Sequence, residues 1–150
     1  MEGLTSIVIL ALNIFIVLRI YWWIVVRLMK LKELNIMQPS RVLITVATIL
    51  AMGISFIIFT FGLSYFMINN YGFRENYIIS ASDSVPLTKL DMHLFLYFSA
   101  ATYFSLGYGD FVPSGNIMYL LVFLQTLLGY VTSGLILAYA FDIFIKTTKP

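Results

Sequence analysis

The chain has 150 residues, of which 61% are apolar and only 11% charged, with a mean hydropathy of +0.94. A soluble domain of this length carries roughly a quarter of its residues as charges to cover its surface, so the composition excludes an ordinary water-soluble domain and calls for lipid around most of the protein. The net charge of +2 says little about partners, because placement matters more, and no nucleic-acid partner is expected; the absence of cysteine rules out disulfides and thiolate chemistry.

Met1 to Ser6 offers no basic n-region, so a cleaved signal peptide is not expected. Crossing a hydrocarbon layer of about 30 Å takes about 20 apolar residues. Leu4 to Met29 is long enough but carries Arg19 and Arg27. From Arg19 to Leu34, helical spacing puts Arg19, Arg27, Lys30 and Glu33 on one side and Trp22, Trp23 and aliphatic residues over the rest, which also suits a helix lying in the interface. We prefer the crossing reading, with Arg19 snorkelling towards the level of Arg27, about 12 Å away along a helix. Residues 1–40, a hydrophobic helix and a basic linker, form a first unit, and residues 41–150 a second.

Val42 to Met67 qualifies as a span without a single charge, and Ile117 to Ile145 qualifies with Asp142 as its only ionised group. Between them Met92 to Phe104 is apolar and aromatic but only 13 residues long, which as a helix reaches about 20 Å. It is too short to cross, and Gly107, Gly109 and Pro113 follow at once. A short helix that enters the membrane and returns as irregular backbone is tolerated only when buried in protein or lining a watery path. Thr88-x-x-Asp91 is a capping pattern for its start, and its C-terminal dipole end favours a cation. The chain is therefore read as an all-α membrane protein.

Charge sets the expected orientation. Arg27, Lys30, Lys32 and Arg41 cluster between the first two spans, and Lys146 and Lys149 follow the third. The positive-inside rule puts both groups in the cytoplasm, with the N-terminus and the connection from Ile68 to Asp91 outside. The cell membrane is the expected location.

The run Thr102-Tyr103-Phe104-Ser105-Leu106-Gly107-Tyr108-Gly109-Asp110 resembles the signature of the tetrameric potassium-channel pore family, usually threonine-valine-glycine-tyrosine-glycine followed by aspartate. Such a filter replaces the ion's water shell with backbone carbonyls. Pointing successive carbonyls one way needs left-handed backbone at every second residue, which glycine adopts without strain. Gly107 and Gly109 have that spacing, leaving Leu106 and Tyr108 to brace the strand. The resemblance implies potassium ions held by the carbonyls of Ser105, Leu106, Gly107 and Tyr108 and by the Ser105 hydroxyl, with Gly109, Asp110 and Tyr97 as filter support. It covers roughly Arg41 to Ile145 and implies a homotetramer in lipid, since one pore segment per chain cannot enclose a filter.

This sequence departs from the family pattern at several positions. Ser105 replaces the usual threonine, and Phe104 stands where a second threonine is common. Ala101 occupies a position that is glutamate in the best-known bacterial members, where it pairs with the aspartate equivalent to Asp110. Tyr97 and Phe98 stand where tryptophans often brace the filter, and only Tyr97 keeps a polar handle.

In the third span Gly129 follows Gly109 by 20 residues and Gly134 lies five further on, similar to the inner helices of simple bacterial potassium channels. There the first glycine serves as a gating hinge. For Gly129 both hinge and close helix packing stand open, and for Gly134 packing is preferred. Tyr130, Ser133, Leu137 and Phe141 share a helical face expected to line the cavity. A ring of Phe141 side chains gating by dewetting and plain core packing of Phe141 are both open.

The rival readings are a weakly selective cation channel, which the intact Gly-Tyr-Gly disfavours, and a non-conducting accessory protein of the membrane. An enzyme is not expected: His93 and Ser105 lie at opposite ends of the short helix, about 18 Å apart, beyond hydrogen-bond reach. Neither a cytosolic ligand-binding domain nor an arginine-repeat voltage sensor is expected within these residues.

Overall fold

The computed structural model describes residues 2–33, 39–71, 77–80 and 92–148. Among these residues there are four helices, α1 (Glu2–Glu33), α2 (Pro39–Tyr71), α3 (Met92–Tyr103) and α4 (Asn116–Thr148), and two short strands, β1 (Tyr77–Ser80) between α2 and α3 and β2 (Phe111–Ser114) between α3 and α4. Three helices are long and apolar enough to cross a membrane, over Leu4–Lys30, Ile44–Tyr71 and Asn116–Phe141. Each helix overruns the apolar stretch seen in the sequence by a few residues, because backbone bonding continues where side chains turn polar. Pro39 opens α2 at the first helical position, where its missing N–H costs nothing. The capping pattern at Thr88 and Asp91 lies outside the described residues.

Helices α1 and α2 run antiparallel over their whole length. Thr5 donates to the Tyr71 carbonyl, the Asn13 amide meets Thr60 and Ser64, and the Ile24 side chain fills the space above Gly53. The Asn13 Nδ2 donates both to the Thr60 carbonyl at 3.1 Å and to the Ser64 hydroxyl at 2.7 Å. Between apolar helices in lipid there is no hydrophobic drive, so small residues and interhelical hydrogen bonds carry the association. Nothing in the hydropathy profile marked Asn13 for this role.

The core lies where α2, α3 and α4 meet and contains Ile57, Phe61, Tyr65, Phe95, Phe98, Met118 and Leu121. Its rings meet edge-on, Tyr65 with Phe98 at 5.1 Å and Phe66 with Phe95 at 5.6 Å between centroids, the geometry that aromatic quadrupoles prefer. A polar chain runs through it. The Tyr65 hydroxyl donates to Gln125 Oε1 (2.8 Å), Gln125 Nε2 donates to the Ser99 hydroxyl (2.7 Å) and carbonyl (3.0 Å), and the Ser99 hydroxyl donates to the Ile58 carbonyl (2.7 Å). Gln125 and Ser99 are wholly buried, and this network fixes the rotation of α3 between its neighbours.

The all-α expectation needs one correction. β1 and β2 pair antiparallel, with Tyr77 opposite Ser114 and Ile78 opposite Pro113. Tyr77, Ile78 and Ile79 are residues that favour extended backbone, and Pro113 is tolerated because a two-stranded ribbon has only edges. The Ile78 side chain is buried and its N–H donates to Asn69 Oδ1 at the end of α2 (3.0 Å). The connection between the second helix and the short one is thereby tied to the chain just after Asp110.

Candidate functional site

The site begins with how α3 ends. Leu106 N–H donates to the Ala101 carbonyl (2.9 Å) and Ser105 N–H to the Thr102 carbonyl (3.1 Å), while Ser105 has φ +54°. That pair of bonds around one left-handed residue is a Schellman cap, built with serine where glycine is usual. Left-handed backbone recurs at Gly107 (φ +60°) and Gly109 (φ +73°). The alternation expected from two glycines therefore has three members, and the sequence concealed the third because serine rarely adopts it. A Cβ built on Gly107 or Gly109 meets nothing within 4 Å, so glycine is required there by backbone conformation and not by space.

Residues 104–110 are all exposed within the single chain. A hollow of about 200 Å³ flanks them, lined by Thr102, Ser105, Gly107, Tyr108 and Thr126 among others. Tyr97 is the residue that organises the outer part. Its hydroxyl donates to Asp110 Oδ2 at 2.7 Å, its ring stacks on Tyr108 at 6.3 Å with planes 7° apart, and Phe111 meets it edge-on at 5.9 Å. Asp110 Oδ1 accepts the Phe111 N–H at 3.0 Å. The bond to Asp110 holds the Tyr97 hydroxyl above its usual pKa. Ala101, unable to pair with Asp110, contributes only its carbonyl to the cap. Leu106 is half exposed.

Replacing Tyr97 with phenylalanine keeps the ring and deletes the donor. With that bond gone, amide exchange at Phe111 and its ribbon neighbours is expected to rise. Unchanged exchange at Phe111 would mean the bond does not hold this segment.

Behind the site, α4 passes the end of α3 at Gly129. A Cβ there would run into the Tyr103 carbonyl oxygen and lie 3.2 Å from its carbon. In this conformation α4 is unbroken, and Gly129 serves close packing. Gly134 has open space around its Cβ position, so the packing expected of it is not met within the chain. Tyr130, Ser133, Leu137 and Phe141 are all exposed and together form a face of α4 that none of the described residues covers. Phe141, 58% exposed, is not part of the core.

One contact was unforeseen. The Tyr21 hydroxyl of α1 donates to the Leu128 carbonyl (3.0 Å) and pairs with the Thr132 hydroxyl, so α1 grips α4 on either side of Gly129. No cluster of three or more metal-ligating His, Cys, Asp or Glu side chains occurs among the described residues. Comparison with family models, with curated proteins and with solved structures gave no match to this chain.

Proposed function

We propose that four copies of this chain assemble around an axis and conduct potassium ions passively through a filter formed by residues 105–109. The observation that carries this reading is the alternation of left-handed backbone at Ser105, Gly107 and Gly109, the conformation that turns successive carbonyls to one side. The filter segment is open within one chain and is left for other copies to enclose. The same holds for the Tyr130, Ser133, Leu137 and Phe141 face, which this reading assigns to the cavity. Tyr97, by bonding Asp110 and stacking on Tyr108, braces the outer end. In this arrangement α1 crosses the membrane beside α2, the ribbon lies outside, and the basic ends of the helices lie in the cytoplasm.

The test is a planar-bilayer recording of the purified chain under opposing potassium and sodium gradients. A preference for potassium of more than tenfold, about 1.4 kcal/mol, is expected. A reversal potential near zero means a weakly selective pore, and no current together with no flux into liposomes leaves the accessory reading.

A further inference from the structure

On the side of α1 away from α4, a groove of about 830 Å³ runs between α1 and α2. Phe15, Ile16, Met52 and Phe56 make up the apolar half of its lining, and Trp22, Trp23, Arg19, Arg27 and Lys30 the aromatic and cationic half. The two run side by side, since Gly53, next to Met52, meets Ile24. Arg27 lies over the Trp23 ring, 5.6 Å from its centroid. The tryptophans are 66% and 41% exposed, and all three cations are exposed.

We propose that the groove binds an anionic glycerophospholipid, its phosphate held between Arg27 and Lys30 and its acyl chains lying along the apolar half. Arg27 and Lys30 are three residues apart, so they project from one face about 4.5 Å apart along the axis, a spacing that lets both reach one phosphate. Trp22 and Trp23 are amphipathic rings suited to the depth between phosphate and acyl chains. Arg19 lies about 12 Å deeper along α1, and its long stem lets it snorkel towards the ester carbonyls. An arginine at that depth is costly when unpaired, and an anionic lipid would offer it a negative charge. Basic pockets between membrane helices on the cytoplasmic side are suited to anionic headgroups on the same electrostatic ground. The proposal needs only that the chain be embedded in lipid and stands independently of ion conduction.

Trp22 and Trp23 are the only tryptophans in the protein, so its fluorescence reports this groove alone. The full chain is reconstituted in phosphatidylcholine vesicles containing a minor fraction of phosphatidylglycerol brominated on its acyl chains, or the same fraction of brominated phosphatidylcholine. Brominated phosphatidylglycerol is expected to quench far beyond its mole fraction. Arg27→Gln and Lys30→Gln should each weaken that preference about fivefold, the worth of one cation near an anionic lipid surface, whereas Lys146→Gln on α4 should not. Equal quenching by the two lipids would overturn the proposal, leaving bulk annular lipid. Absence of quenching by either would overturn it in favour of a second copy of the chain covering the groove. Reversal of the quenching by added inorganic phosphate would show that the site takes a free anion instead.

Discussion

Replacing Gly109 by alanine is expected to abolish potassium-selective flux while leaving the helices and their assembly in place. At φ +73° an L-residue costs about 1–2 kcal/mol, and in the proposed ring of four chains that becomes about 4–8 kcal/mol. The cost is conformational, because the new methyl group would meet nothing within 4 Å in its own chain. Ser105 tolerates the same region because two hydrogen bonds to the end of α3 hold it. The backbone of 107–109 makes no such bond among the described residues, so an alanine there relaxes to negative φ and turns the carbonyl of the residue before it away. Gly107→Ala should behave alike. Gly134→Ala, in a helix with open space around it, should leave selectivity untouched. Flux into liposomes, with circular dichroism and size-exclusion profiles as controls, separates these outcomes. Wild-type selectivity in Gly109→Ala would remove the carbonyl column from the conduction path.

Gly129→Ala should destabilise the protein. Helix propensity alone argues the reverse, since alanine in a helix interior is favoured over glycine by up to about 1 kcal/mol. The structure sets against this a Cβ directed into the Tyr103 carbonyl oxygen. That oxygen belongs to backbone and has no rotamer by which to move aside, so α3 and α4 must separate, at a typical overpacking cost of about 1–3 kcal/mol. The steric term wins, and the proposed filter, which starts two residues after Tyr103, shifts with it. A lower thermal midpoint, with altered selectivity, is the expected result. A midpoint equal to or above wild type, with only open probability changed, would assign Gly129 to bending.

The sequence revealed the three long helices because twenty or more apolar residues in a row have few other uses. It also marked α3 as too short to cross. Gly107 and Gly109 could be assigned their backbone conformation from residue type. Ser105 could not, since its left-handed φ follows from its position at the end of α3 and not from being serine. The ribbon was missed because Tyr77 to Ser80 is only four residues long and its partner lies beyond a helix. Gln125, Tyr65 and Ser99 look like scattered polar residues until three helices bring them together. Gly129 and Gly134 look alike in one dimension, and only the passage of α3 distinguishes them. The tie between Tyr97 and Asp110 was half legible, since the tyrosine was noted for its polar handle and the partner needed the turn at 104–110 to come within reach.

During synthesis a chain emerges from its N-terminus, so residues 2–71 leave the ribosome before α3 exists. Asn13 finds Thr60 and Ser64 within that first hairpin, and its amide donors need nothing made later. Gly62, on the same stretch of α2, leaves the slot into which Leu96 later fits, 2.8 Å from where a Cβ would stand. When α3 arrives, too short to rest in lipid by itself, a shaped wall is already waiting for it. α4 comes last and closes over α3 at Gly129 while Tyr21 of the first helix takes hold of it from the other side. The order of emergence thus matches the order of dependence, and the segment least able to survive exposed to lipid is the one with the shortest wait for shelter.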